Sequence, residues 1–307
     1  MIEAYKTLRH VVTSYFGLFM IGAMLVALVL PFDMLIPSSG IPYLMFGVVF
    51  FAASKIKPDD IKALHFGDIA GIYILRFLAV PFAGFFLAQW LVPDYKFAVL
   101  LLLFLPSAAT LPAVTMILKG NPMVALGLLA LTSVLAPFVI PAGYGFLSGA
   151  EISIDSWSMF KSLAFMILAP IVLCSVLYKT TPKIMPHLRE NASFMSIFLI
   201  ILIIMVIVSA KSTYFIENPM VVLHAVVLGL VIYAALYALG WSLFGHKPAR
   251  ERISYCLAFG NTNISVGISL AFMYLPEREM LAMVSWEIAW ITSLSAAQYA
   301  LSKVKQR

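Results

Sequence analysis

Apolar runs of membrane-spanning length recur along this whole chain, with only short polar connections between them. A helix needs about 20 consecutive apolar residues to cross the hydrocarbon core of a bilayer. Ten such stretches are read: 11–32, 40–54, 68–92, 95–118, 122–147, 158–179, 192–213, 218–245, 251–275 and 279–301. The second is short, which suggests a tilted or partly re-entrant segment. No connection is long enough to hold a soluble domain. Composition agrees: 63% of the 307 residues are hydrophobic and 11% charged, against about 45–50% and about 25% in soluble domains. A soluble enzyme, a disordered chain and a nucleic-acid binder are therefore excluded, and lipid is the solvent for most of the chain. Residues Met1 to His10 are polar and no small-residue cleavage motif follows, so the first stretch reads as a spanning helix rather than a signal peptide.

The basic residues fix an expected topology. Fifteen Lys and Arg fall at the N-terminus, after the even-numbered stretches (Lys55, Lys119, Lys179 and Arg250 among them) and at the C-terminus. Four fall on the opposite side: Lys96, Lys161, Lys211 and Arg278. This bias puts both termini in the cytoplasm and favours an even number of spans. A multi-pass protein of the bacterial inner membrane is expected. The pI near 9.2 thus reflects topology, not nucleic acid.

Ten spans divide into five and five near Gly149, giving repeats over 1–149 and 150–307. With an odd number per half, the second repeat runs inverted, a recurring plan of secondary transporters with discontinuous helices. The fourth stretch of each half carries a break signal. The first reads Pro106-Ser107-Ala108-Ala109-Thr110-Leu111-Pro112, and each proline lacks an N–H and disturbs the preceding turn. The second reads Gly260-Asn261-Thr262-Asn263-Ile264-Ser265, where glycine offers the same freedom. Two ordinary kinks are the plainer alternative. Broken backbone within a membrane is tolerated only against protein or a water-filled cavity.

Other chemistry is poorly supported. Cys174 and Cys256 share no short spacing, so neither a disulfide framework nor a metal site is expected. The five histidines are scattered, and no G-x-x-x-x-G-K-[ST] motif occurs, which argues against ATP drive. A membrane enzyme would need a nucleophile–base set or metal ligands, and a sensor would need a signalling domain; neither is present in the sequence. The chain is expected not to be an enzyme.

Three segments together resemble the bile acid:sodium symporter family. Met45-Phe46-Gly47 through Lys55-Ile56-Lys57-Pro58-Asp59-Asp60 resembles its second helix and Lys-Pro-x-Asp loop. Pro106 to Pro141 resembles its first broken helix, the Lys119-Gly120-Asn121 turn and an ending in Ser133, Pro137 and Pro141. Gly260-Asn261-Thr262-Asn263 resembles its second broken helix. Arsenite exporters and auxin-efflux-type carriers share the architecture. The resemblance implies an all-α membrane protein with a panel of helices 1, 2, 6 and 7. Helices 3–5 and 8–10 would form a core in which helices 4 and 9 cross at their breaks. Family members carry organic anions with sodium, bound between panel and core. No cofactor is implied beyond a coupling ion, sodium or proton. The expected partners are a small organic anion and the bilayer, in a monomer or homodimer.

Departures from the family pattern carry equal weight. By spacing, the family's sodium ligands fall here at Leu111, Pro112, Ala125, Leu129, Ala258 and Arg76, whereas a hard cation needs oxygen. Sodium symport is therefore in doubt. The alternative is a sodium-independent or proton-coupled carrier in which Arg76 replaces the bound cation. An arginine at mid-membrane costs about 2.5–3.5 kcal/mol and faces the bundle interior. Glu287, at similar depth in the tenth stretch, is the expected ion-pair partner of Arg76 and a candidate proton-coupling site. Candidate substrate residues are Arg76, Thr110, Pro112, Asn261, Thr262, Asn263 and Ser265. Candidate ion-coupling residues are Glu287, His224, Thr115 and Asn263. Trp90, Trp241 and Trp286 read as interface anchors.

Overall fold

The computed structural model describes residues 7, 9, 11–13, 15–56, 66–149 and 155–304. Every described element is helical. In chain order we label α1 (Phe16–Ala27), α2 (Ile41–Ser54), α3 (Ile69–Leu91), α4 (Lys96–Phe104), α5 (Leu111–Ile117) and α6 (Pro122–Leu147). There follow α7 (Ser156–Thr180), α8 (Pro182–Ala210), α9 (Pro219–Leu243), α10 (Ala249–Gly260), α11 (Ile264–Tyr274) and α12 (Glu277–Ser302). Among the described residues, six helices are long and apolar enough to cross a membrane: α3, α6, α7, α8, α9 and α12. The remaining apolar helices are shorter or interrupted. The protein is an integral, multi-pass membrane protein.

Local sequence explains the irregular turns. Within α3 the backbone widens into a π-helical turn over Ile74–Ala79, and the Val80 N–H reaches back to the Leu75 carbonyl. Pro81 follows two residues later. Its ring would collide with an α-helical turn behind it and its missing N–H would leave a carbonyl there without a donor; the wider turn absorbs the clash. The same grammar recurs in α7, where a π turn over Ala164–Leu168 precedes Pro170.

Two compact units emerge, each built from two separate pieces of sequence. One comprises 1–57 and 161–219, the other 58–160 and 220–307. This partition by packing differs from a division of the sequence at 149/150. In the first unit α8 packs along α2, and a Cβ added at Gly47 would lie 2.8 Å from Leu199 Cδ1, so the two backbones approach closely. Helix α8 begins well before residue 192, where its apolar run starts. Its polar first turns are held by Arg189 Nε donating to the Ser54 carbonyl at 2.8 Å and by the Arg9–Glu190 ion pair at 3.0 Å.

In the second unit α12 is the central element. Trp286 is fully buried and its Nε1 donates to the Ala225 carbonyl of α9 at 2.7 Å. Gly229 lets α9 approach this indole, since a Cβ there would strike Trp286. The expectation that Trp286 anchors the chain at an interface is therefore overturned: close packing of α9 on α12 takes the ring inside. Trp90, in contrast, is 80% exposed. The outer faces carry large exposed apolar side chains such as Leu87, Val172 and Val231, a surface suited to lipid rather than water.

Candidate functional site

Two interrupted helices meet in the second unit. Helix α4 stops at Phe104 because Leu105 precedes a proline. Its ψ of 138° is the extended conformation that a following proline imposes. Helix α5 then starts with Pro112 in its first turn, where a missing N–H costs nothing. Helices α10 and α11 are separated by Asn261, Thr262 and Asn263. At Gly260 the ring of Tyr237 lies so close that a Cβ would overlap it.

The two breaks run antiparallel and pair through their backbones at Ser107 and Thr262. The Ala108 N–H donates to the Asn261 carbonyl at 2.9 Å, and the Asn263 N–H to the Pro106 carbonyl at 2.7 Å. Ser107 N–H donates to Thr132 Oγ1 of α6 at 3.1 Å. Backbone freed by the breaks is thus satisfied by protein, as a low-dielectric setting demands. Neither sequence nor spacing pointed to Thr132, which also donates to the Leu128 carbonyl at 2.6 Å.

Arg76 closes the arrangement. It is fully buried, carried on the π turn of α3. Its Nη1 donates to the Leu103 carbonyl at 2.7 Å and its Nε to the Phe259 carbonyl at 2.8 Å. These carbonyls hold corresponding places: each lies two residues before the C-cap of its half-helix, Leu105 and Asn261. A helix C-terminus carries roughly half a negative charge on its unpaired carbonyls. Two such ends together match one guanidinium.

That balance explains a correction. Arg76 and Glu287 were expected to form an ion pair, and they do not. Ion pairs join Arg9 to Glu190 and Arg278 to Asp94, and none joins Arg76 to Glu287. The guanidinium charge is met instead by the two helix ends. Glu287 is buried, and its Oε2 has no hydrogen-bond partner.

The other candidates distribute as follows. Thr110 is exposed, Pro112 and Asn263 half-buried, all three at the breaks. Asn261 is fully buried and its Nδ2 donates to Thr110 Oγ1 at 3.3 Å. Thr262 is fully buried and shares a 3.0 Å hydrogen bond with the Tyr233 hydroxyl of α9. Ser265 is buried at the start of α11. Thr115 is buried with no partner for its Oγ1, as is Ser107. His224 is exposed on α9. Tyr233 was missed by sequence reasoning. A tyrosine in an apolar run carries no signal until a second helix places a polar partner opposite it.

Glu279 shows how a buried acid can be structural. Its Oε2 accepts from the Ala98 N–H in the first turn of α4. The Tyr144 hydroxyl donates to the Phe97 carbonyl in the same turn. The first half-helix is thus clamped to α12 and α6 at one end and to Arg76 at the other.

Comparison with known proteins now adds to this geometry. The model of the sodium bile acid symporter family matches residues 42–218, more than half of the chain. That match includes the first break and stops short of the second. An uncharacterized protein of Bacillus subtilis (strain 168), YbaS, is 28% identical over 172 residues, which is 54% of this chain and 55% of that one. The probable sodium/metabolite cotransporter BASS1, chloroplastic, of Oryza sativa subsp. japonica is 26% identical over 160 residues, covering 48% of this chain and 38% of its own. The probable sodium/metabolite cotransporter BASS4, chloroplastic, of Oryza sativa subsp. indica is 25% identical over 207 residues, covering 64% and 49%. The chain thus spans about half or less of the length of these relatives. On the family match, which spans more than half of the sequence, this chain belongs to the sodium bile acid symporter family.

Proposed function

We propose that the protein is a secondary transporter of an organic anion, working by alternating access, and that Arg76 does the work of a bound cation. The reading takes the chain as ten spans in two inverted repeats, with the fourth and ninth broken. It places the protein in a bacterial inner membrane with both termini cytoplasmic, on the distribution of Lys and Arg. Transport rather than catalysis is the assigned role, with a bile-acid-like molecule or a small carboxylate as substrate.

The observation that carries the proposal is the pair of bonds from Arg76 to the Leu103 and Phe259 carbonyls. A fixed positive charge there joins the two half-helix ends without any ion from solution. Nearby, Thr110 and Asn263 form the accessible polar lip of the breaks, with Pro112 beside them, the candidate contact for a carboxylate. Asn261, Thr262 and Ser265 support them from behind. Positions that resemble the family's sodium ligands are Leu111, Pro112, Ala125, Leu129 and Ala258, whose side chains offer no oxygen.

A second reading, sodium symport, is favoured by the unpartnered hydroxyls of Ser107 and Thr115, and by the sodium/metabolite names of the rice relatives. Oxygen donors of that kind suit a hard cation. Melting temperature in matched sodium, potassium and choline salts separates the two readings. A ligand that binds only the folded state adds about 2.7 kcal/mol at a hundredfold excess over Kd. Equal melting in the three salts is the expected result. A saturable shift with sodium alone would remove Arg76 from the cation's role and leave the second reading.

A further inference from the structure

Glu287 has no structural task in the arrangement described above. The other buried acid on α12, Glu279, accepts a backbone N–H at the start of α4. Glu287 lies two turns further on, is 1% exposed, and has no donor to its Oε2. Among the described residues of this unit, the one buried cation, Arg76, spends two of its nitrogens on the two half-helix carbonyls. Burying a carboxylate with an oxygen that has neither donor nor cation is costly, and the cost falls when the group carries a proton. Ionisable side chains within membrane spans mark ion pathways and proton relays.

The surroundings connect Glu287 to the breaks. Gly229 of α9 lies against Trp286 and Ala289, which flank Glu287 on α12, and one turn further along α9 the Tyr233 hydroxyl is bonded to Thr262. Several other titratable groups on elements packed against α12 are engaged elsewhere, while the hydroxyls of Tyr95 and Tyr237 are buried without a partner. Glu279 accepts the Ala98 N–H, and Asp94 pairs with Arg278 at 3.0 Å. On α10, Cys256 donates to the Tyr237 carbonyl at 3.3 Å and Tyr255 reaches Glu251 at 3.5 Å. On α11, Tyr274 meets Ser158 at 3.4 Å. Tyr237 of α9 lies against Gly260.

We propose that Glu287 is an intramembrane proton-binding site, linked through Tyr233 and Thr262 to the paired breaks, and that it couples anion movement to a proton. The proposal rests on the transport reading above and names its coupling ion. On the proton-rich side a Glu287 oxygen accepts a proton from water. On the other side the O–H bond breaks, the electron pair stays on oxygen, and the proton returns to water.

The test has two arms. Full-length protein in nanodiscs is examined by pH-difference infrared spectroscopy, which sees the carbonyl stretch of a protonated carboxylic acid without any substrate. The wild type is expected to show a buried-acid band that Glu287→Gln lacks and Glu217→Gln, an exposed control, keeps. The same band in Glu287→Gln overturns the site, whatever the fate of the transport reading. If Glu287→Gln fails to fold, Glu287→Asp takes its place, and a band that does not move with the shorter side chain overturns the site equally. In proteoliposomes, uptake of radiolabelled pyruvate and longer monocarboxylates is driven by an imposed proton gradient. Glu287→Gln is expected to lose the gradient response and keep anion exchange. A gradient response retained in that variant overturns the coupling.

Discussion

Replacing Arg76 tests how the crossing is held together. Its two charge-assisted bonds, at 2.7 and 2.8 Å, join helix ends that no other side chain bridges among the described residues. In Arg76→Gln the amide can donate to one carbonyl. Exchanging a charged bond for a neutral one loses about 1 kcal/mol, and leaving the second carbonyl unpaired in the interior costs about 1–3 kcal/mol. The expected destabilisation is therefore about 2–4 kcal/mol. With about 2 °C per kcal/mol for a chain of this size, melting should fall by about 4–8 °C. Arg76→Met orphans both carbonyls and should fall further, while Arg76→Lys keeps the charge and should fall least. The vacated position is also lined by carbonyl oxygens that a sodium ion accepts. In Arg76→Gln a hundredfold excess of sodium over Kd would restore about 2.7 kcal/mol, comparable to the loss itself. The assay is thermal melting of purified protein in sodium, potassium and choline salts. Arg76→Met melting like the wild type would refute the reasoning, and so would a wild type more sodium-sensitive than Arg76→Gln.

Other substitutions probe the frame around the breaks. Glu279→Ala removes the acceptor for the Ala98 N–H, and melting should register a loss of about 1–2 kcal/mol, the worth of a helix cap. Gly260→Ala drives a methyl group into the Tyr237 ring; overpacking should cost about 1–3 kcal/mol, measurable in the same assay. Thr262→Val breaks the 3.0 Å bond to Tyr233, and about 1 kcal/mol of stability should go with it. Trp286→Ala empties a fully buried site and should cost about 3–5 kcal/mol, whereas Trp90→Ala, at an exposed position, should leave melting almost unchanged.

The clamp on α4 has a bearing on mechanism. Glu279 and Tyr144 hold its first turn, and Arg76 its last. Arg76 also holds α10, so both incoming half-helices share one guanidinium. Among the described residues no side chain links the outgoing half-helices α5 and α11 in this way. Under the transport reading, the incoming halves are the fixed frame for the polar lip at Thr110 and Asn263.

Much of the fold was legible because hydrocarbon is a demanding solvent. The long apolar runs marked α6, α9 and α12 to within about two residues, since a span is fixed by its apolar length. The start of α8 was read seven or more residues late, because its first turns are polar and lie beyond the apolar window while remaining helical. The first break was legible from Pro106 and Pro112, whose covalent rings dictate it whatever surrounds them. The π turn at Arg76 had a signal in Pro81 that hydropathy alone does not use.

The partners of side chains were another matter. The sequence determined that an arginine and a glutamate both lie within long apolar stretches, and charge alone suggested that they pair. Only the tertiary structure decided otherwise, because it brought two helix C-termini, with their partial negative charges, against the guanidinium. Those partial charges belong to backbone geometry and are written in no residue type. Trp286 likewise could be an anchor or a core residue until α9, open at Gly229, packed over it. Spans and breaks follow from local covalent and solvation rules, while charge balance inside the bundle depends on which helix ends the fold brings together.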